Sequence, residues 1–367
     1  MKKLIILLLL ILSGCGVSTA VDSSDRPKPE NELFAHFINV GQADATLIQF
    51  SEADEDYAIL IDAGDFTGTE VIDYLHQQSI NHIDLAIGTH PDADHIGQLD
   101  RVIEELNVDE VWLSGNLSTS KVFQRVLAAI DSQQTEYYEP RAGEEFDIGP
   151  LNIEVLYPNE ITGDTNEESV SLKLTYGDIR FIFTGDAAKK NERAMIEAGF
   201  NLEADILHLG HHGSSTSTSE EFLNAVNPDI AIYSAGMGNS YGHPHKEVVE
   251  LIQRNKIHLY GTDIDGTIKI ITDGEDFEVV TNNPSNQDSP VEKIEPEIVK
   301  FVDSSCINVN TASAMELQEI IHIGDERAQQ IIELRPLKSL DELSKISGIG
   351  PARMADIIDE NLACVGG

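Results

Sequence analysis

Two rhythms of apolar and polar positions alternate along the chain. From Phe34 onward, short apolar runs separated by Gly, Asp and polar residues read as strands: LFAHFINV, ATLIQF, YAILIDAG and IDLAIGTH. Among them, TEVIDYLHQQS (69–79), LDRVIEELN (99–107) and KVFQRVLAAID (121–131) place apolar residues three and four apart, the period of a helix with one buried face. A second strand-rich series follows: LNIEVLYP, VSLKLTYGDIRFIFTGD, ADILHLGHH, PDIAIYSAG, KIHLYGT and GTIKIIT, reaching about residue 281. Within it, Gly177-Asp178 separates two apolar runs as a two-residue hairpin turn. This mixture predicts an α/β unit over 33–281, with sheets packed together and helices outside.

The rhythm changes twice more. NNPSNQDSPVEKIEPEIV carries three prolines and little periodicity, which predicts a linker over 282–303. Residues 304–364 then show helical spacing, Gly-bearing turns and no strand signal, and predict a small all-α domain. At the other end, Lys2 and Lys3 precede the apolar run Leu4 to Leu12, too short to span a bilayer as a stable helix. That run ends in Leu12-Ser13-Gly14-Cys15, the three-part layout of a signal peptide over 1–15. Small residues before a cysteine resemble a bacterial lipobox, which implies a lipid on Cys15. The polar, proline-bearing stretch 16–32 then reads as a flexible tether. The expectation is an extracytoplasmic protein, anchored to the cell membrane by lipid. In such an oxidising compartment the two remaining cysteines, Cys306 and Cys364, are expected to pair.

Composition alters this picture in one respect. Apolar (41%) and charged (24%) contents are ordinary for a folded protein, but 24 Lys and Arg face 64 Asp and Glu, a net charge of −40. Such a surface repels nucleic acid and anionic membranes at long range. Any nucleic-acid function therefore needs local features that overcome the global charge.

The candidate chemistry lies at strand ends. THPDADHIG sets His90, Asp92 and Asp94 in alternation, with His95 directly after. Carboxylates two residues apart repel unless a cation sits between them, and neutral imidazole with carboxylate suits a divalent metal. Asp186 ends the strand FIFTGD, His211 and His212 end another, and YGHPH supplies His243 and His245. Six of the twelve histidines thus lie in three strand-end loops with three aspartates, which predicts a metal centre rather than solvated turns.

In the order INVGQADATLI, LIDAG, THPDADHIG, FTGD, GHHGS and YGHPH, the chain resembles the metallo-β-lactamase fold, and more narrowly the nuclease-like domain of ComEC-type competence proteins. The resemblance implies a four-layer αββα sandwich with two divalent metal ions. His90 and Asp92 would serve one ion. Asp94, His95 and a histidine of the His211/His212 pair would serve the other, with Asp186 bridging. It also implies hydrolysis of a phosphodiester by an activated water, with Asp94 in the catalytic set and His243 or His245 protonating the leaving oxygen or gripping the phosphate. Three departures stand out. Asp92 occupies the usual histidine position, and Ala43 stands where glycine often precedes Asp44. No histidine occurs between His95 and His208, so the third histidine ligand is missing, with Glu168, Ser169, Ser171 or water as substitutes. A carboxylate-rich shell shifts the expected metal from zinc toward manganese, with zinc still open.

The C-terminal segment is similar to the helix-hairpin-helix module of ComEA-type DNA receptors. In ISGIGPARMADII, Gly348 and Gly350 would expose backbone N–H groups to a phosphate, with Arg353 nearby. In IIHIGDERAQQII, His322 replaces a glycine, leaving Gly324 to carry the turn. Between 306 and 364, five basic residues face ten acidic ones, so binding through backbone dipoles would be weak, salt-sensitive and blind to sequence. The function expected is a lipid-anchored, metal-dependent nuclease. A phosphodiesterase acting on wall polymers or phosphocholine, and a non-catalytic DNA receptor, are the competing expectations.

Overall fold

Alternating burial sorts the strands of the first unit into two sheets. A computed structural model describes residues 31–53, 55–282, 307–310, 312, 317, 320–335, 337–346, 348–350, 353–354, 357 and 363–365. The expected signal peptide, Cys15, Cys306 and nearly all of the expected tether and linker lie outside these residues. The chain divides into two compact units, Met1–Val291 and Glu292–Gly367.

In the first unit, β1 (Leu33–Phe37), β2 (Thr46–Glu52), β3 (Glu55–Ile61), β4 (His82–Gly88), β5 (Asn107–Leu113) and β6 (Glu136–Tyr138) start one sheet. The second sheet comprises β7 (Glu145–Ile148), β8 (Leu151–Tyr157), β9 (Ser171–Tyr176), β10 (Ile179–Phe183), β11 (Ile206–His208), β12 (Ile230–Tyr233) and β13 (His258–Gly261). The chain then returns to the first sheet through β14 (Ile268–Thr272) and β15 (Phe277–Thr281). The strand orders are β15-β14-β1-β2-β3-β4-β5-β6 and β13-β12-β11-β10-β9-β8-β7. Strands β3 to β6 run parallel, as do β10 to β13.

The period of two along each strand separates the layers. Phe37, Ile48, Ile59, Leu85 and Trp112 face Leu172, Leu174, Phe181, Phe183 and Ile232 across the gap between the sheets. Leu47, Leu60, Ala86 and Val111 point the other way, onto α1 (Glu70–Gln77), α2 (Leu99–Glu105) and α3 (Lys121–Gln133). On the far side, Ile182, Leu207 and Ala231 meet α4 (Lys189–Ala198), α5 (Glu220–Val226) and α6 (Lys246–Arg254). Phe181 and Ile182 are neighbours in sequence yet belong to different layers. Each such side chain contributes about 1.5–3 kcal/mol through burial, so a slip of one residue in β10 would invert a whole face. The result is the expected αββα sandwich.

Several elements lie outside the expected pattern. The helix expected over 99–107 stops at Glu105, and Asn107 opens β5, whose Asp109 and Glu110 mask its strand character. The short strands β6, β7 and β15 alternate polar and apolar residues too briefly for the pattern to register. In ADILHLGHH the strand ends at His208. Gly210–Gly213 forms a single turn in which His211 and His212 both take left-handed backbone angles, φ 52° and 57°.

The second unit buries Val309, Leu317, Ile320, Ile323, Ile331, Leu343, Ile349 and Ile357 in its own core. Its described helix, Asp325–Leu334, begins at Gly324. The segment carries no strand signal in sequence, yet Ile307–Asn308 pairs in parallel with Ala363–Cys364 and draws the two ends together. A two-residue ladder is too short to produce a period of two.

Candidate metal centre

The parallel strands of both sheets release their chains at one edge, where open α/β sheets place their ligands. Asp62 follows β3, His90 to His95 follow β4, and Asp186 follows β10. His211 and His212 follow β11, and the loop to His243 and His245 follows β12. Gly185 allows a close approach. It has φ +50°, and a Cβ there would lie 2.8 Å from Ser169 Cβ and 3.0 Å from Thr89 Cβ. Only glycine lets the Asp186 backbone pass under the His90 loop.

Asp186 stands at the middle of the cluster. Its Oδ1 lies 3.3 Å from His95 Nε2, and its Oδ2 lies 3.4 Å from His211 Nε2 and 3.7 Å from His90 Nε2. His90 Nε2 is 3.8 Å from Asp92 Oδ2, and His212 Nε2 is 3.5 Å from Asp94 Oδ2. The His90 and His95 rings sit 4.1 Å apart by centroid, and His95 and His212 sit 5.2 Å apart. The seven residues expected to bind metal are therefore gathered in one place. His90, His95 and Asp186 offer ligand atoms within 4.8 Å of one another, and so do Asp44, His95 and His212.

The outer nitrogens are held from behind. His95 Nδ1 is 2.8 Å from Asp62 Oδ2, and Asp62 also accepts from Thr89 N (2.8 Å) and Thr89 Oγ1 (2.9 Å). His90 Nδ1 has Thr89 Oγ1 at 3.2 Å and Ser169 Oγ at 3.3 Å. His212 Nδ1 faces the Ser234 carbonyl at 3.0 Å and Asp44 Oδ2 at 3.6 Å, while Asp44 Oδ1 reaches His208 Nε2 at 3.3 Å. Metal-binding histidines are commonly fixed this way, because the partner on one nitrogen sets which tautomer the other presents.

The inward atoms have no such partners. His90 Nε2, His95 Nε2, His212 Nε2 and Asp186 Oδ1 are buried without a hydrogen bond. Buried polar atoms of native proteins are normally satisfied, so a group of them converging on one point fits a cation. The electrostatics agree. Burial opposes charge on His95, yet Asp186 and Asp62 overcome it and hold its pKa well above the usual imidazole value. Burial likewise works against ionised Asp186, but His95 and His90 keep its pKa well below the carboxylate range. Burial, then repulsion from His95, lowers His90 to about 3, leaving a neutral ring.

The substitutes for the missing third histidine separate clearly. Glu168 is buried but saturated, accepting from Asn116 Nδ2 (2.9 Å), Thr162 N (2.8 Å), Thr162 Oγ1 (2.5 Å) and Gly163 N (3.1 Å). Ser171 Oγ is 3.3 Å from the Ser169 and Thr184 carbonyls. Ser169 alone of the three faces the centre, through His90 and through the Asp186 N–H it accepts at 3.0 Å. Asn166 joins it, with Nδ2 3.4 Å from Asp186 Oδ2.

His243 and His245 differ. The His243 ring lies 5.7 Å from His211 and 6.0 Å from His212 by centroid, and burial, then His212 and His245, lowers its pKa to about 4. His245 accepts from Ser215 N at 2.8 Å and directly precedes α6, so it meets the centre through His243, 4.8 Å away. Sequence reasoning passed over Asp44, Asp62, Asn166 and His208. The signal for Asp62 was its place in LIDAG, an aspartate directly after an apolar run and before Ala-Gly, and the backbone there takes a left-handed φ of 59°.

In the second unit, Gly348 has φ +84° and a Cβ there would lie 2.8 Å from Arg327 Nη2. Arg353 Nη1 donates to the Gly348 carbonyl at 2.8 Å. Gly350 has open space where a Cβ would be. In the other hairpin, His322 itself adopts φ 66°, the conformation expected of the glycine it replaces, and its carbonyl accepts from Arg327 Nη1 at 2.8 Å.

Comparison with known proteins accords with this geometry. The chain is 34% identical over 200 residues to ComE operon protein 3 of Bacillus subtilis, covering 54% of this chain and 26% of that protein. Competence protein ComA of Neisseria gonorrhoeae is 29% identical over 278 residues, covering 72% and 37%. A protein named deoxyribonuclease from a Thioalkalivibrio species is 38% identical over 63 residues, 17% of this chain and 18% of that one. The chain thus spans well under half the length of these relatives. Residues 302–360 match the helix-hairpin-helix motif. The metallo-beta-lactamase superfamily model matches residues 38–236, a span that holds His90, Asp92, Asp94, His95, Asp186, His211 and His212, and the chain belongs to that superfamily.

Proposed function

We propose that this protein is a metal-dependent phosphodiesterase that cleaves DNA in DNA processing or uptake, lipid-anchored outside the cytoplasm through Cys15. The observation that carries the hydrolase reading is the set of buried, unpartnered ligand atoms on His90, His95, His212 and Asp186. His90, Asp92 and Asp186 would hold one divalent ion, and Asp94, His95, His212 and Asp186 the other, manganese or zinc, with His211 beside them. Bound there, the two ions supply Lewis acidity and an activated water. The protein's own groups orient and exclude. Asp62 and Asp44 fix the rings of His95 and His212, and Ser169 steadies His90. His243, stacked on His212 and held neutral, would grip a phosphate oxygen through a ring N–H.

DNA as the substrate is supported by the similarity to competence proteins and by the helix-hairpin-helix motif. That motif would hold the phosphate backbone near Gly324, Gly348, Gly350 and Arg353, a local grip against the general acidity. Among the described residues no helix is long and apolar enough to cross a membrane. The attachment proposed is the lipid expected at Cys15. The test is incubation of the protein with labelled single- and double-stranded DNA and with bis-p-nitrophenyl phosphate, with and without Mn²⁺ or Zn²⁺. Metal-dependent shortening of DNA is expected. Turnover of the small diester alone would favour a wall-polymer or phosphocholine substrate, and DNA binding without turnover would make the protein a receptor.

A further inference from the structure

The loop between β12 and α6 carries two strongly exposed apolar side chains, Met237 at 85% and Tyr241 at 66%, and Tyr241 adjoins the candidate metal centre through His243. Large apolar groups in such exposed positions on a monomer are functional candidates when they cluster beside a site. Here a row of rings leads outward from the ligands. His212 stacks on His243 at 6.0 Å and 29°, and His243 stacks on Tyr241 at 5.7 Å and 21°. One face of Tyr241 thus rests on a site histidine while most of its ring meets solvent.

The loop is pinned rather than loose. Asn239 Nδ2 donates to the carbonyls of Gly236 (3.0 Å) and His243 (2.6 Å), and its Oδ1 accepts from the N–H groups of Tyr241 (3.1 Å) and His243 (3.0 Å). Gln42 adds a clamp from the first sheet, accepting from Gly236 N at 3.1 Å with its amide 3.4 Å from His243 Nδ1. A ring fixed in this way loses little conformational freedom when a flat partner covers it. None of these contacts is needed to hold metal, and none buries the tyrosine.

We propose that Tyr241 is the stacking platform for the nucleobase adjoining the scissile phosphate, with Asn239 as the positioning residue that holds the platform. The inference rests on the DNA-cleaving reading and specifies its ligand: a planar base, of any sequence, drawn away from its neighbours to lie on the ring. Base–aromatic stacking tolerates every base because each has a π-face, and it does not depend on released counterions as phosphate contacts do.

The experiment uses the full chain loaded with Mn²⁺ and two oligonucleotides that differ only in an abasic residue beside the cleaved bond. The readout is the ratio of kcat/KM for the base-bearing to the abasic substrate. The wild type should favour the base-bearing strand about tenfold, within the range that stacking one base provides. Tyr241→Ala should bring the ratio close to one through KM, Tyr241→Phe should restore it, and Asn239→Ala should lower it with the tyrosine still present. The preference should persist as salt rises. A Tyr241→Ala protein that keeps the wild-type ratio would overturn the platform while leaving the nuclease reading intact. A wild type that cleaves neither oligonucleotide would overturn both.

Discussion

Asp62 holds His95 from behind, Oδ2 to Nδ1 at 2.8 Å, while the opposite nitrogen of the ring faces Asp186. Both residues are buried, so the imidazole has one orientation, with Nε2 directed at Asp186. Asp62→Asn keeps the size of the side chain but weakens that control. Metal affinity should fall about 10–100-fold, as is usual when the partner behind a ligating histidine is changed. Metal content after dialysis, with titration of Mn²⁺ into the stripped protein, measures this. Unchanged affinity would mean that His95 is not a ligand.

Asp186 and Asp94 make the stronger test. Asp186 touches His90, His95 and His211 within 3.7 Å, and Asp94 Oδ2 lies 3.5 Å from His212 Nε2. Asp186→Ala or Asp94→Ala should remove bound metal and nearly all hydrolysis. The helix-hairpin-helix unit has its own core and should remain folded, as judged by proteolysis and circular dichroism. Wild-type turnover in either variant would refute a two-metal centre.

Gly350 allows a clean probe of the DNA grip. Its Cβ position is open, so Gly350→Val should leave the fold intact and obstruct only the approach of a phosphate to the backbone. Apparent KM for long DNA should rise, less than on deletion of 300–367, with cleavage of a small diester unaffected by either change. Both effects should shrink at high salt, because the lost contact is electrostatic. Equal cleavage of long DNA by the truncated and intact proteins at low salt would assign the module to protein docking.

His36 makes a pH-dependent contribution away from the metal. It is buried in β1 with Nδ1 2.7 Å from Tyr74 Oη, and burial, then Lys269, lowers its pKa from 6.5 to about 3. The native ring stays neutral where the unfolded ring takes a proton. Its stabilisation is therefore full above 6.5 and declines as pH falls toward 3, by at most about 1.4 kcal/mol per pH unit. His36→Gln removes this proton linkage. Relative to the variant, the wild-type urea midpoint should fall between pH 7.5 and pH 4.5, and parallel pH curves would contradict the assignment.

Cys364 is disulfide-bonded, and its neighbour in sequence, Ala363, pairs with Ile307. With Cys306 as partner, the bond closes a loop of about 58 residues and adds roughly 4 kcal/mol in the chain-entropy model. Mass spectrometry of the unreduced protein should find a crosslinked Cys306–Cys364 peptide pair. Two alkylatable thiols after unfolding would exclude it.

The apolar rhythm alone determined that this chain builds stacked sheets with outer helices and then a separate helical unit. It could do so because burial on one face imposes a local period. The spacing of THPDADHIG marked the metal loop for a similar reason: alternating carboxylates and imidazoles within a few residues need a shared cation. Local patterning could not reach β6, β7 or the ladder of Ile307–Asn308, which are too short to show a period. Tertiary structure decided everything that depends on long-range approach. It set Asp44 and Asp62 behind histidines far away in the chain, because both sheets end their parallel strands at one edge. It saturated Glu168 and turned Ser169 to the centre, a choice among near neighbours that only the path of the Thr162–Ser169 loop determines. It also propped Tyr241 on His243, where an ordinary loop tyrosine in sequence becomes a fixed, exposed surface.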